Sequence, residues 1–296
     1  MDHDIATFEA LAQKIEPRSK LLRTWELTGG VSARVTAFEI ERADGRTDRM
    51  IVRRHGARDL KRNSQIAADE FRVLQLLEAA GLPVPSPRLL DTRGEIFSTP
   101  CLVVDYVDGE SGPAAVDEAE LVSELARVLA EIHRVGSAAD LSFLPERELA
   151  DTTVPVSAEE GRIRDFLESA QPLPRRNRPA LLHGDFWPGN TLWKDGRLVA
   201  VVDWEDAAVG DPLADVANAR LELLWALGLE AMDDFTRHYG STVTAVDFTD
   251  LPYWDLWADL RLAGRTTEWG LDEVTERAMR AKHEAFVAQA FDKLSH

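Results

Sequence analysis

The first hundred residues change from strand-like to helical patterning and back again. Two β-rich runs, 34–41 and 48–54, are separated by the turn-prone segment 43–46, and this arrangement predicts a β-hairpin. Apolar residues then recur at helical spacing over 66–77, which predicts a helix. The chain returns to a strand-like run that ends at the turn-prone pair Asp108-Gly109. The pattern therefore predicts a small β-rich unit with one key helix.

The rest of the chain is patterned mainly for helices. Asp117 is followed three residues later by Glu120, which is typical of a helix N-terminus, and a long apolar stripe covers 121–132. Further helical patterns cover 213–229, 253–268 and 272–293. We therefore predict an α+β fold with two lobes, an N-lobe over 1–108 and a larger, mainly helical C-lobe over 109–296.

Composition excludes several classes of protein. With 296 residues, 45% of them apolar, the chain can bury a sizeable core. The single cysteine, Cys101, excludes an internal disulfide and a thiolate metal cluster, and fits a reducing compartment. The first residues form an acidic amphipathic segment rather than a signal peptide, and no apolar run approaches the roughly 18 residues of a membrane span. We expect a cytoplasmic protein without a membrane partner; no feature specifies an oligomeric state.

The net charge of −18 is unevenly distributed along the chain. Residues 1–108 carry 16 Lys and Arg against 17 Asp and Glu, whereas residues 109–296 carry 18 against 35. The acidic second part should repel nucleic acid, so no nucleic-acid partner is expected. The excess acid fits a solvated surface that aids solubility, or partial focusing of acid around a cationic substrate, and both interpretations can hold together.

Two aspartates stand where short apolar runs end. The first run leads to Asp185, and the following turn is expected to bring Asn190 back beside it. A hairpin break at 194–197 precedes a second apolar run that ends at Asp203, which should come near Asn190. A phosphoryl-transfer site needs a carboxylate to accept the proton of a hydroxyl, and an amide oxygen and a second carboxylate to hold Mg²⁺ on the phosphates.

The alternative is that both aspartates merely cap turns, which is common in any fold. The order and spacing of the two motifs favour the phosphoryl-transfer interpretation. Glu205 either reaches the metal site or is a solvated acid.

The stretches HGDFWPGNTLW (183–193) and VVDWEDAAVGDPLADVA (201–217) resemble the aminoglycoside phosphotransferase family, whose fold is similar to that of the protein kinases. The resemblance implies a bilobal protein-kinase-like fold with a nucleotide-binding N-lobe and a catalytic, acceptor-binding C-lobe. It further implies that Asp185 is the catalytic base and that Asn190 and Asp203 bind Mg²⁺. Asp211 and Asp215 resemble the family's segment that caps a helix and braces the loop of Asp185, which implies structural roles for them.

The same resemblance assigns nucleotide-binding roles in the N-lobe. Its phosphate-covering loop corresponds to Gly29, Gly30 and Ser32, where backbone N–H groups can approach phosphate. Arg53 stands where many relatives have lysine, and Glu70 is its expected partner, because a carboxylate on a buried helix face needs a cation. The expected cofactors are ATP or GTP with Mg²⁺. The hinge that holds the base corresponds to Asp105, Tyr106 and Val107.

The acceptor should bind on the acidic second lobe, where several aromatic and acidic side chains are candidates. They are Asp206, Trp225, Trp254, Asp255, Trp257, Asp259 and Glu268. Trp254 and Trp257 share one helix face, so core packing is the competing interpretation. Aromatic rings beside carboxylates would suit an amine.

The expected activity is transfer of a nucleotide γ-phosphoryl group to a hydroxyl of a small molecule. An aminoglycoside or another amino-bearing acceptor is the first hypothesis, and a macrolide or a choline-like amino alcohol is the second. The sequence does not distinguish an antibiotic-resistance role from a metabolic one. A non-catalytic, pseudokinase-like nucleotide-binding regulator and a protein kinase are the alternatives.

Overall fold

The structure is a computed structural model that describes residues 2–27, 33–112, 116–135, 140–150, 157–262 and 272–295. The chain divides into two compact units. Unit 1 comprises Met1–Gly109 and Arg197–Glu205, and unit 2 comprises Glu110–Gly196 and Asp206–His296. This grouping differs from the predicted division near residue 108 in one segment, because Arg197–Glu205, which carries Asp203, belongs with unit 1.

Strands and helices follow each other along the chain in the order given by their numbering. Within the described residues, the strands are β1 (Lys20–Glu26), β2 (Ala33–Glu41), β3 (Thr47–His55), β4 (Pro87–Asp91), β5 (Cys101–Asp105), β6 (Glu110–Ser111), β7 (Glu146–Arg147), β8 (Ala180–Leu182), β9 (Thr191–Lys194), β10 (Arg197–Val201) and β11 (Ala208–Gly210). The helices are α1 (Asp2–Ile15), α2 (Ala57–Arg62), α3 (Ile66–Ala79), α4 (Glu118–Val135), α5 (Ala158–Ala170), α6 (Leu213–Ala226), α7 (Leu229–Thr242), α8 (Leu251–Leu262) and α9 (Glu273–Leu294). A short 3₁₀ turn spans Pro188–Asn190.

Unit 1 is built on an antiparallel sheet with the strand order β1-β2-β3-β5-β4. One face packs against α1, where Phe8 and Leu11 join Phe38 and Val52 in a buried cluster. Because side chains alternate along a strand, Arg53 points to the opposite face of β3 from Val52. There it meets α3, the helix that the apolar spacing predicts. The sheet therefore separates an apolar layer from a charged one.

Unit 2 is mainly helical, and its helices are joined by apolar and ionic contacts. A buried apolar cluster links α6, α7 and α9 through Leu221, Met232 and Phe286. The fully buried ion pair between Arg220 and Asp255 joins α6 to α8, with Nε to Oδ1 at 2.9 Å. Burial of both charges requires this pairing, because an unpaired one would have lost its hydration without compensation.

Two helices of unit 2 were not predicted. The helical pattern over 213–229 is interrupted in the structure, since α6 ends at Ala226 and Gly228 has a φ of 104° before α7 begins. Glycine adopts this backbone conformation without the steric cost that other residues incur. Helix α5 also lies where no helical pattern was recognised.

Short strands in unit 2 frame the turn that carries Asp185. Strand β11 pairs antiparallel with β8 and parallel with β7, and β6 pairs antiparallel with β9. Since β8 ends immediately before His183 and β9 begins at Thr191, the intervening turn is anchored at both ends.

No helix among the described residues combines the length and the apolar character needed to cross a membrane.

Candidate active site

The turn between β8 and β9 brings Asn190 beside Asp185, as the sequence predicts. The Asn190 amide Nδ2 donates to the backbone oxygen of Asp185 at 2.9 Å and to its carboxylate Oδ2 at 3.1 Å. Gly184 precedes Asp185 with a φ of +83°, and a Cβ there would lie 2.0 Å from the backbone oxygen of Asp206. Only glycine satisfies both the backbone angle and this close approach.

A buried carboxylate on α6 holds this turn in place. Asp215 accepts hydrogen bonds from the backbone N–H groups of His183 at 2.7 Å and Gly184 at 2.9 Å. Its Oδ2 also lies 3.2 Å from Nε2 of His133, whose Nδ1 is 2.6 Å from the hydroxyl of Tyr239. Burial favours the neutral form of Asp215, but the bonds from His133 and from the His183 backbone outweigh burial and lower its pKa. Asp215 therefore braces the turn as an ionised group.

The second carboxylate oxygen of Asp185 is held by a residue that was not predicted. Arg261 Nη2 donates to Asp185 Oδ1 at 2.9 Å, and Arg261 Nη1 donates to Asn218 Oδ1 at 2.8 Å. Asn218 in turn donates to the backbone oxygen of Phe186 at 3.2 Å. The available signal was Arg261 lying four residues after Trp257 on one face of an apolar helix, but nothing local links it to Asp185.

Two further acids surround this pair. Asp206 Oδ2 lies 3.8 Å from Arg261 Nη2. Half-buried Glu222 was also not predicted, and burial together with the charge of Asp185 raises its pKa to about 8, against the opposing charge of Arg261. Glu222 is therefore largely protonated at neutral pH, and Asp206 is the charged acid of the two.

In unit 1, Arg53 is the centre of a charged cluster on the face of β3 that meets α3. Its Nε lies 2.9 Å from Glu70 Oε1, which is the ion pair expected from the sequence. Its Nη2 donates to Asp203 Oδ1 at 2.6 Å and lies 3.4 Å from Glu205 Oε2. The adjacent acids raise the pKa of Arg53 despite the opposing effect of burial. Glu205 is therefore part of the cluster and not a solvated acid.

His55 completes this cluster and was missed by the sequence analysis. It lies two residues after Arg53, so strand alternation puts both side chains on one face. Its Nε2 is 3.1 Å from Glu70 Oε2, and its Nδ1 is 3.5 Å from Glu205 Oε2. Burial alone lowers the pKa of His55, but the carboxylates of Glu205 and Glu70 outweigh burial and raise it to about 9. His55 is therefore a cation at neutral pH.

Asp203 adopts an uncommon backbone conformation. Its φ is 68°, in the left-handed region that non-glycine residues seldom occupy. The following Trp204 is buried and donates its Nε1–H to the backbone oxygen of Val201 at 3.0 Å, which anchors the turn. Strained backbone of this kind clusters at functional sites, and here it orients the Asp203 carboxylate toward Arg53.

The predicted hinge residues follow β5. The backbone N–H of Asp105 donates to Ser86 at 2.9 Å, and that of Tyr106 donates to Arg49 at 3.0 Å. Both N–H groups donate within unit 1, so a nucleotide base held at this segment would use its other backbone groups. Val107 lies in the segment that follows β5.

Most of the described acceptor candidates are buried. Trp225, Trp254 and Trp257 are 8%, 5% and 2% exposed. Asp255 is bonded to Arg220, and Asp259 Oδ1 lies 2.5 Å from Nε2 of His283. This burial favours the core-packing interpretation for these side chains. Two of the described candidates lie beside Arg261, namely Asp206 through its carboxylate and Trp257 through its ring. Four predicted site residues lie outside the described residues, namely Gly29, Gly30, Ser32 and Glu268.

The expected metal ligands are oxygen donors, which suits Mg²⁺. Asn190 uses its amide nitrogen toward Asp185, so the amide oxygen is left for another partner. Asp203 presents a carboxylate that is about one-third exposed. The described residues contain no group of three or more His, Cys, Asp or Glu side chains arranged to hold a metal ion. An amide oxygen and a carboxylate are each donors of the kind that a hard cation such as Mg²⁺ accepts.

Sequence comparison matches residues 25–250 to the model of the phosphotransferase enzyme family, APH. Among characterised proteins, acyl-CoA dehydrogenase family member 10 of Mus musculus is 28% identical over 193 residues, which are 58% of this chain and 18% of the mouse protein. Homoserine kinase of Beijerinckia indica is 26% identical over 162 residues, 49% of each chain. The chain thus spans about a fifth of the first relative and half of the second.

Solved structures of similar fold cover almost the whole chain. Amicoumacin kinase hAmiN, in complex with AMP-PNP, Ca²⁺ and Ami, has a TM-score of 0.68 at 13% identity and covers 98% of this chain and 94% of its own. Choline kinase LicA of Streptococcus pneumoniae has a TM-score of 0.64 at 19% identity, and the match covers 100% of this chain and 99% of LicA. Macrolide 2'-phosphotransferase MphH of Brachybacterium faecium has a TM-score of 0.62 at 21% identity, and the match covers 96% of this chain and 97% of MphH. These likenesses confirm the predicted α+β, kinase-like fold class.

We expect Asp215→Ala to lower the free energy of unfolding of unit 2 by about 3–5 kcal/mol, because it leaves His133 and two backbone N–H groups buried without their acceptor. Thermal unfolding followed by circular dichroism measures the loss. The matched control is Asp233→Ala on α7, an exposed aspartate whose removal should change the melting temperature little. Equal effects of the two substitutions would show that Asp215 is not the brace.

Because His55 is charged in the folded protein, we expect the protein to lose stability at alkaline pH in metal-free buffer. Its pKa in the folded protein, about 9, is above its ordinary value of 6.5, so its stabilising contribution is complete below pH 6.5 and is lost as the pH rises through 9. The expected change is on the order of 3 kcal/mol. Urea unfolding between pH 6 and 10 measures it, and His55→Gln should flatten the dependence. An unchanged slope in that variant would assign the pH dependence to other groups.

Proposed function

This chain belongs to the phosphotransferase enzyme family, and we propose that it transfers the γ-phosphoryl group of ATP or GTP to a hydroxyl group of a small molecule. The observation that carries the proposal is the turn at Asp185, whose carboxylate is fixed by Asn190 from the same turn. Family membership supports it, since the model match includes this turn.

In the proposed reaction, Asp185 accepts the proton of the acceptor hydroxyl as the oxygen attacks the γ-phosphorus. The bond to the nucleotide's bridging oxygen breaks, and the nucleoside diphosphate leaves. The transition state is loose, so the carboxylate acts mainly by orienting the hydroxyl, and its ionised form must be ready before the hydroxyl arrives.

We assign nucleotide and metal binding to the residues that the family resemblance indicates. Asn190 and Asp203 would hold Mg²⁺, which supplies positive charge to the phosphates when it is bound. Arg53, fixed by Glu70, would pair with phosphate oxygens in place of a lysine, using the planar fork that suits phosphate. Gly29, Gly30 and Ser32 are proposed for the phosphate-covering loop, and Asp105, Tyr106 and Val107 for the base.

We propose an amino-bearing acceptor, with an aminoglycoside as the first class to test. The support is electrostatic, because residues 109–296 carry a surplus of acid, with 35 Asp and Glu against 18 Lys and Arg. An ammonium group would be attracted to this surplus. Macrolides, choline-like amino alcohols and homoserine are the other classes, since proteins of similar fold or sequence are a macrolide 2'-phosphotransferase, a choline kinase and a homoserine kinase.

The decisive experiment measures release of nucleoside diphosphate with Mg²⁺ and either ATP or GTP across these four acceptor classes. Turnover with one class would identify both the reaction and the acceptor. Nucleotide binding by thermal shift, with no phosphorylated product from any class, would favour the non-catalytic regulator instead.

We expect Asp185→Asn to lower kcat by about 10²–10⁴-fold while the nucleotide-induced rise in melting temperature is kept, because the carboxylate acts on the acceptor proton and not on the phosphates. Steady-state kinetics and thermal shift measure the two effects. The exposed Asp233→Asn serves as the control for removal of one negative charge. Full activity of Asp185→Asn would reject the assigned base.

A further inference from the structure

Arg261 is the one cation that contacts the Asp185 carboxylate among the described residues. Its Nη2 lies 2.9 Å from Asp185 Oδ1, while Asn190 occupies Oδ2. The two oxygens are therefore bonded by residues that follow Asp185 by five and by 76 positions in the chain. A carboxylate that accepts a hydrogen bond at each of its two oxygens has little rotational freedom.

The guanidinium group is itself fixed on several sides. Its other terminal nitrogen, Nη1, donates to Asn218 Oδ1 at 2.8 Å. Its central carbon lies 6.0 Å from the ring centroid of Trp257, and that of Arg147 lies 5.8 Å from the same ring. The Arg261 side chain is only 15% exposed. Arg261 is therefore part of a packed assembly and not a mobile surface side chain.

The partners of Arg261 argue against a role in capturing an anionic acceptor. Asp185 and Asp206 both face its Nη2, and Glu222 experiences its charge. An anionic group arriving there would meet acids that already neutralise the guanidinium. The Asn218 link points instead to the catalytic turn, because Asn218 also bonds the backbone oxygen of Phe186, the residue after Asp185.

We propose that Arg261 is a positioning residue for phosphoryl transfer, which holds the Asp185 carboxylate in the orientation that receives the acceptor hydroxyl. This inference rests on the proposed function. With one lone pair of each Asp185 oxygen engaged, the remaining acceptor positions are directed by Arg261 and Asn190. Fixing a reacting group in advance removes an orientational cost from the reaction.

Arginine is required at this position because two different nitrogens of one planar group serve two partners. Lysine would keep the charge but cannot bond Asp185 and Asn218 in the same fixed geometry. We therefore expect Arg261→Gln to lower kcat by about 10²-fold and Arg261→Lys by about tenfold, since misplacement of a reacting group by about 1 Å has effects of this size. The nucleotide-induced thermal shift and the KM for the acceptor should stay within about twofold.

The test that separates positioning from general support is a double-mutant cycle with Asp185→Asn. If Arg261 acts through the Asp185 carboxylate, Arg261→Gln should change the residual kcat of Asp185→Asn by less than about threefold. Arg277→Gln on α9 is the matched control, because its guanidinium pairs only with exposed Glu273 among the described residues. It should leave kcat within about twofold of the unsubstituted protein.

Three outcomes would overturn the proposal. A raised acceptor KM with unchanged kcat in Arg261→Gln would make Arg261 an acceptor-binding residue. If Arg261→Gln lowers kcat by the same factor in the unsubstituted protein and in Asp185→Asn, Arg261 does not act through the Asp185 carboxylate. If Arg261→Gln does not fold, Arg261→Lys and Asn218→Ala are measured instead, and an unchanged kcat in both variants would reject the proposal. Full turnover of Asp185→Asn alone would instead reject the proposed function.

Discussion

The turn of unit 2 that carries Asp185 depends on a carboxylate that must stay ionised inside the protein. Asp215 is 1% exposed, and its charge is compensated by the backbone N–H groups of His183 and Gly184 and by His133. Since His133 also contacts Tyr239, this one group ties α4, α6 and α7 to the end of β8. The stability of the helical unit and the geometry of the turn therefore have a common origin.

Unit 1 also compensates buried charges with opposite ones, but there the central buried groups are cations. Arg53 and His55 are cations on the face of β3 that meets α3, and the carboxylates of Glu70 and Glu205 compensate them. Strand alternation keeps this charged layer apart from the apolar cluster that faces α1. Because Asp203 also bonds Arg53, the expected metal ligand and the expected phosphate ligand belong to one electrostatic network. Removing the charge of one of these groups therefore changes the electrostatic environment of the others.

Charge pairing also shapes the surroundings of Asp185. An arginine neutralises it from α8, and Asp206 lies beside the same guanidinium. The buried acids farther along unit 2 have partners of their own, as Asp255 does with Arg220 and Asp259 with His283. Because these buried acids are paired, they do not account for the acidic excess of residues 109–296. That excess is the physical reason for proposing an amino-bearing acceptor.

Local sequence was enough to predict the elements and the contacts that depend on nearby spacing. Helical periodicity predicted α3, a carboxylate on its buried face together with the family resemblance predicted the pairing of Glu70 with Arg53, and the turn after β8 returned Asn190 to Asp185. The break at Gly228 was missed, because periodicity over 213–229 continues through it.

Packing alone decided the contacts between residues that are far apart in the chain. Arg261 reaches Asp185 across 76 residues, and His55 meets Glu205 across an even longer separation. Periodicity identifies the buried face of a helix but not the element that covers it, so such partners are set by how the elements pack. For the same reason, sequence placed Trp254 and Trp257 on one helix face, but only the tertiary structure decided that this face packs against other elements of the protein.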